Sequence, residues 1–197
     1  GIRKLMDRGE LIEEDDPVEE EGKVLVSARN HGLEEAVAKN LHILSTGATV
    51  SRLTEVDFTY ISRQMDVVLT EEQERAVVSA VNNRITIITG GPGTGKTTII
   101  RAIIEAFVKE KKSVLLAAPT GRAAKRIDEA TGYSASTIHR MLKIDPDTGR
   151  FVHNEEKPLQ ADAVIVDEFS MVDVHLFYSL LKAISIHTRL VIIGDKD

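Results

Sequence analysis

Four short apolar runs separated by helical patterns predict an α/β fold: a parallel sheet with flanking helices, preceded by a small helix-rich region. Three observations carry this. The runs at 85–89, 114–118, 163–166 and 190–193 are apolar almost throughout, as strands buried on both faces are. The stretches between them, 96–109, 122–130, 136–142 and 174–184, read as helices. A polar motif follows each run directly, at the carboxyl end of a strand, where open parallel sheets bind their ligands.

The elements follow in chain order. Residues 1–8 read as the end of a helix, and 19–21 lead into a strand-like run at 23–26. Residues 32–44 place Leu33, Ala36, Val37, Leu41 and Ile43 or Leu44 at near-helical spacing, and 45–47 end that helix. Residues 1–66 thus form a small helix-rich domain or linker with no legible chemistry. From Leu69 the pattern changes, and 67–197 read as the sheet domain. Thr70 is a good N-cap, and Gln73 at the third helical position completes a capping box for a helix running to about Asn82. Further on, Asp145-Pro146-Asp147-Thr148-Gly149 is a turn signal between Lys143-Ile144 and Arg150-Phe151-Val152. It predicts a β-hairpin at 144–157 projecting from the sheet; a plain connection is the other reading. Gly1 stands in place of an initiator Met and Gly194-Asp195-Lys196-Asp197 follow straight on a strand, so a longer parent chain is expected.

Composition narrows the function. The 197 residues contain no cysteine, which removes disulfides, thiolate metal sites and cysteine nucleophiles and permits a reducing, cytoplasmic setting. Apolar runs reach about five residues, too short to span a bilayer, and no secretory signal pattern opens the chain. The net charge of −6 hides an uneven distribution. Residues 1–23 carry four basic and nine acidic side chains, whereas 84–143 carry eleven basic and four acidic ones. That basic segment either meets phosphates or forms solvated helix faces.

Gly90-Gly91-Pro92-Gly93-Thr94-Gly95-Lys96-Thr97 matches G-x-x-x-x-G-K-[ST] between a strand and a helix, the context a phosphate loop needs. Glycines let backbone N–H groups turn inward on phosphates, and the helix start adds positive potential. Lys96 can reach the β- and γ-phosphates and the Thr97 hydroxyl can ligate Mg²⁺. After the third strand, Asp167 would hold Mg²⁺ and Glu168 would take a proton from attacking water; an acidic helix start is the bland alternative. Asp195 either senses the γ-phosphate or forms a turn with Gly194. Gln73 either reads adenine N6 and N7 or caps its helix. Pro119-Thr120-Gly121-Arg122 offers small, hydroxylated and basic groups at a helix start, which suits a nucleic-acid phosphate. Thr137-Ile138-His139-Arg140 is a second such segment; its His139 either stacks on a base or donates to phosphate, or is a bystander.

Together, segments 69–73, 90–98, 118–126, 136–142, 167–171 and 193–197 resemble the RecD/TraA family of superfamily 1 DNA helicases. The likeness is dense over 69–197, and the spacing of 137–140 after 119–125 is its most selective part. It implies a RecA-like P-loop NTPase sheet and a motor moving 5′→3′ on single-stranded DNA, opening a fork with ATP and Mg²⁺. Matched to the motifs, Gly91, Pro92, Gly93, Thr94, Gly95, Lys96, Thr97, Thr98, Gln73 and Asp195 serve nucleotide. Thr97 and Asp167 serve metal; Lys96, Asp167 and Glu168 serve catalysis. Pro119, Thr120, Gly121, Arg122, Thr137, His139 and Arg140 would face DNA, and 144–157 looks like the family's strand-separating pin. The resemblance also implies a second RecA-like domain, missing from this chain; within the family a stand-alone helicase and a subunit of a larger nuclease or relaxase complex are both open. On its own the chain is expected to bind nucleotide weakly, hydrolyse it slowly and unwind nothing. A phosphate-loop kinase or ATPase without a nucleic-acid partner, and a non-catalytic nucleotide-dependent module, are the rival readings.

Overall fold

The computed structural model describes residues 2–15, 22–47 and 55–195. Helix α1 (Ile2–Asp7) leads into an antiparallel ribbon of β1 (Leu11–Asp15) and β2 (Lys23–Ser27), paired from Leu11↔Ser27 to Asp15↔Lys23. Then come α2 (Ala28–Thr46), α3 (Phe58–Met65) and α4 (Glu71–Asn82). The expected lead-in at 19–21 lies outside the described residues. Strand β1 differs from the reading of 1–66 as simply helix-rich. Its Glu13, Glu14 and Asp15 look like solvated chain, yet Lys23 across the ribbon pairs with Asp15 and His31 with Glu14.

The remaining elements build the sheet. They are β3 (Ile85–Thr89), α5 (Lys96–Lys109), β4 (Val114–Ala118), α6 (Gly121–Thr131), β5 (Ala135–Thr137), α7 (Ile138–Leu142), β6 (Ala163–Val166), α8 (Val174–Ala183) and β7 (Arg189–Gly194). All five strands are parallel, in the order β3-β7-β6-β4-β5. This is the flanked parallel sheet the sequence predicts. Successive residues of a strand face opposite ways, and the core divides accordingly. Ala163 and Ile165 of β6 and Val191 and Ile193 of β7 join the cluster under α3, α4 and α5. Val164, Val166, Leu190 and Ile192 join the one under α2, α7 and α8. Helix α5 is wrapped by this packing: Ile100, Ala102, Ile103 and Phe107 have no exposed surface, which fixes its first turn rigidly against the sheet.

Two expectations change. Residues 136–142 do not form one helix, because Ala135–Thr137 pair with β4 (Leu116↔Ala135 to Ala118↔Thr137) before α7 begins. Nor is every strand covered on both faces. Strand β3 lies at the rim of the sheet, and its Ile87 is 67% exposed on the side where α8 covers the neighbouring strands. The 144–157 segment is a tight turn closed by one antiparallel bridge, Ile144↔Phe151. Asp145 Oδ1 accepts from the Asp147 and Thr148 amides at 2.9 and 3.0 Å, and Phe151 packs back on the core. Helices α2 and α3, both before residue 67, pack on α8 and α5, and Asp57 at the start of α3 pairs with Lys109 of α5 at 2.5 Å. Among the described residues no helix is long and apolar enough to cross a membrane.

Candidate nucleotide and nucleic-acid site

The loop between β3 and α5 is shaped by two left-handed glycines, Gly93 (φ 76°) and Gly95 (φ 83°). Gly95 caps α5, so the amides of Lys96, Thr97 and Thr98 form a first turn whose N–H groups have no acceptor within the helix. The Gly90 amide donates to Gly194 O at 3.3 Å, which ties the loop to the end of β7. This brings Asp195, next in the chain, to the loop. Lys96 Nζ donates to Asp195 Oδ1 at 2.5 Å, and to the carbonyls of Gly90 and Gly91 at 2.6 and 3.0 Å.

Strand β6 delivers the two acids. The Asp167 amide donates to Ala117 O at 3.0 Å, which extends the pairing with β4 by one step. Burial is the main reason the Asp167 pKa stands above its ordinary value. The Glu168 amide hydrogen bond pulls it back, the Glu168 charge raises it again, and Arg126 and Lys96 oppose that. Glu168 itself has φ 54° and ψ 39°. A non-glycine residue there carries about 1–2 kcal/mol of backbone strain, and such strain concentrates at sites that use it.

Loop residues 91–97, Asp167, Glu168 and Asp195 line one cleft of about 720 Å³. The structure thus brings Gly91, Pro92, Gly93, Thr94, Gly95, Lys96 and Thr97 together with both acids. Gln73 and Thr98 are outside the lining. Gln73 closes the capping box, its Oε1 accepting from the Thr70 amide at 3.0 Å, and its Nε2 lies against Gly95. The cleft has a third wall that the sequence reading did not assign to nucleotide: Arg126, Ile127 and Ala130 of α6. The Arg126 guanidinium donates to Glu168 Oε1. Its place in a basic helix was visible; its partner, 42 residues away, was not.

These residues suit a nucleotide with a divalent cation. The loop offers amides to phosphate, and a side chain at Gly95 would meet Gln73 Nε2 at 2.5 Å, so this cradle admits only glycine without rearrangement. A hydroxyl (Thr97) and one partly buried carboxylate (Asp167) are hard oxygen donors of the kind Mg²⁺ shares with substrate phosphates. No cluster of three or more acidic or histidine ligands exists among the described residues, so an all-protein metal cage is not what this site provides.

The other candidate residues gather at the neighbouring strand ends. Register Ala118↔Thr137 sets the starts of α6 and α7 side by side. Thr120 accepts from the Ala123 amide at 3.2 Å and Thr137 from the Arg140 amide at 3.1 Å, so both hydroxyls cap helices. Each hydroxyl hydrogen is left to donate outward. Gly121, Arg122, His139 and Arg140 are exposed and Pro119 is half-buried. The His139 ring lies 5.8 Å from that of Phe151, which links this surface to the 144–157 turn.

A parallel sheet with a glycine-framed loop after one strand and paired acids after another defines the class, and the chain belongs to the AAA-domain family, which its residues 73–197 match. Within that class it is RecD-like. It is 42% identical over 129 residues to the ATP-dependent RecD2 DNA helicase of Deinococcus radiodurans, covering 66% of this chain and 18% of that protein. It is 39% identical to the RecBCD enzyme subunit RecD of Mycolicibacterium smegmatis, covering 64% and 27%, and 32% identical to that of Haemophilus influenzae, covering 75% and 28%. The chain therefore spans less than a third of the length of these relatives.

Proposed function

We propose that this chain is the nucleotide-binding part of an ATP-dependent DNA helicase motor that moves 5′→3′ on single-stranded DNA. One observation carries the reading. The nucleotide cleft and the Thr120 and Thr137 helix starts occupy the same edge of one sheet, joined through α6, which belongs to both. The RecD2 relative's name, an ATP-dependent DNA helicase, supports ATP and DNA as what the motor works on; the 5′→3′ direction rests on the motif resemblance alone.

In this reading the loop amides and Lys96 hold the phosphate tail, and Lys96 exchanges Asp195 for phosphate oxygens. Thr97 and Asp167 would hold Mg²⁺, which would supply positive charge against that building on the transferred phosphoryl group. Glu168 takes the proton of the water whose oxygen bonds to the γ-phosphorus as the β–γ bridging bond breaks. Gln73 faces the adenine side from the top of α4. Pro119, Thr120, Gly121 and Arg122, with Thr137, His139 and Arg140, grip backbone phosphates of the strand, and the 144–157 turn stands at the fork. A second RecA-like domain and a larger cytoplasmic complex belong to the full machine, and this chain alone turns ATP over slowly.

The test is ATP turnover with and without an oligothymidylate, in the wild type and in Glu168→Gln. Stimulation by DNA is expected. Loss of a general base costs about 10²–10⁴ in rate, with affinity for a fluorescent ATP analogue kept within a few-fold. Turnover indifferent to DNA would favour a phosphate-loop enzyme without a nucleic-acid partner.

A further inference from the structure

We propose that Arg126 is a positioning residue that restrains Glu168 until a single strand engages the start of α6. The inference rests on the motor reading above and assigns the contact between its two sites.

Arg126 stands on α6, one helical turn after Arg122, and reaches across the cleft to the turn that follows β6. Its Nη2 donates to Glu168 Oε1, and its charge also bears on Asp167. In the motor reading this same carboxylate must accept a proton from water. An oxygen that accepts from a guanidinium is occupied, and a forked donor also fixes the direction in which the carboxylate points. Glu168 adopts its left-handed backbone next to this contact, so the acid is held from two sides: by its own chain and by α6.

Helix α6 is suited to transmit a push. Its first turn is seated by the methyl groups of Ala123 and Ala124 against Ala118, and Ile127, next to Arg126, is buried in the larger cluster, so the start of the helix rolls about that anchor. Its N-cap, Thr120, and its first basic residue, Arg122, are the candidate strand contacts. A helix moves as a stiff rod, so a shift or roll at Thr120–Arg122 displaces Arg126 one turn on. Binding of the strand then releases Glu168 for the water, and hydrolysis is restrained when no strand is bound. Arg126 is 69% exposed on its side chain, so replacing it leaves the core intact.

The experiment reads the carboxylate directly. The full chain is treated with a water-soluble carbodiimide and an amine, and modification at Glu168 is quantified by peptide mass spectrometry against Asp128, an exposed acid on α6. Arg126→Ala raises Glu168 modification roughly fivefold, the population ratio a partly exposed ion pair sustains, and Arg126→Lys, which lacks the fork, falls between. Oligothymidylate raises it in the wild type and has no further effect in Arg126→Ala. In turnover, Arg126→Ala increases the DNA-free rate at saturating ATP, and the increase disappears in Arg126→Ala/Glu168→Gln. Unchanged modification in Arg126→Ala overturns the inference. So does oligothymidylate that binds, by fluorescence anisotropy, without exposing Glu168; in either case the motor reading stands. If oligothymidylate does not bind at all, the motor reading fails and takes the strand-gating with it.

Discussion

Replacing Gly95 with alanine tests the phosphate loop and the start of α4 at once. A Cβ there faces two costs. The first is backbone: φ 83° is left-handed territory, worth about 1–2 kcal/mol for an L-residue. The second is steric: the new methyl carbon would sit 2.5 Å from Gln73 Nε2. That amide is the mobile end of a side chain and can swing away, but doing so breaks the Gln73 Oε1 bond to the Thr70 amide at 3.0 Å. A hydrogen bond of this kind contributes about 0.5–1.5 kcal/mol. Reduced freedom of the unfolded chain offsets roughly 0.4–1 kcal/mol, leaving a net loss of about 2 kcal/mol. For a chain of this size that lowers the melting temperature by roughly 4–8 °C. Gly91→Ala is the control, since nothing lies within 4 Å of its added carbon and its φ is ordinary. Urea melts of Gly95→Ala, Gln73→Ala and the double variant measure the coupling. With Gln73 already truncated, Gly95→Ala should cost only its backbone share, so the double variant is less destabilised than the sum by about 0.5–1.5 kcal/mol. Strict additivity, or a Gly95→Ala protein as stable as Gly91→Ala, would refute the placement of Gln73 against the loop.

Two further outcomes follow from charge and burial. Lys96→Met should leave the melting temperature within a few degrees but weaken a fluorescent ATP analogue by tenfold or more, because a charge-assisted contact contributes about 1.5–3 kcal/mol; equal affinity would place the phosphate tail elsewhere. Tyr133 donates to the buried Glu105 at 2.8 Å, and burial first, then this carboxylate, pushes its pKa from 10.0 up to about 12. The folded state therefore favours the protonated phenol, and that stabilisation is whole below pH 10 and lost as the pH rises through 12. An alkaline absorbance titration should show a late-ionising tyrosine that Tyr133→Phe removes, together with roughly 1–3 kcal/mol of stability from the orphaned Glu105. Tyrosines that all ionise near the ordinary value would contradict this packing.

Much of the sheet was legible because burial on both faces leaves a signature no loop imitates. The strand bounds at 85–89, 114–118 and 163–166 and the helix at 96–109 are those observed. Strand β5 was illegible because Ala135-Ser136-Thr137 is short, small and polar, and its conformation comes from pairing with β4, not from local preference. Strand β1 was hidden by its acids, whose partners lie across the ribbon. The same division holds at the site. The loop and the acid pair are contiguous in sequence and legible there. The Arg126 wall depends on a helix crossing the cleft, which no local pattern reports. Gln73 showed the limit of reading a side chain with two uses: the capping box was legible, but its amide's contact with Gly95 needed the fold.

The uncovered rim has a practical side. Among the described residues strand β3 hydrogen-bonds to β7 on one flank only, and Ile87 stands open beside it. A strand edge next to an apolar side chain invites another strand to add on, so concentrated samples should cluster edge to edge. A lysine at position 87 should keep such solutions clear without touching either binding surface.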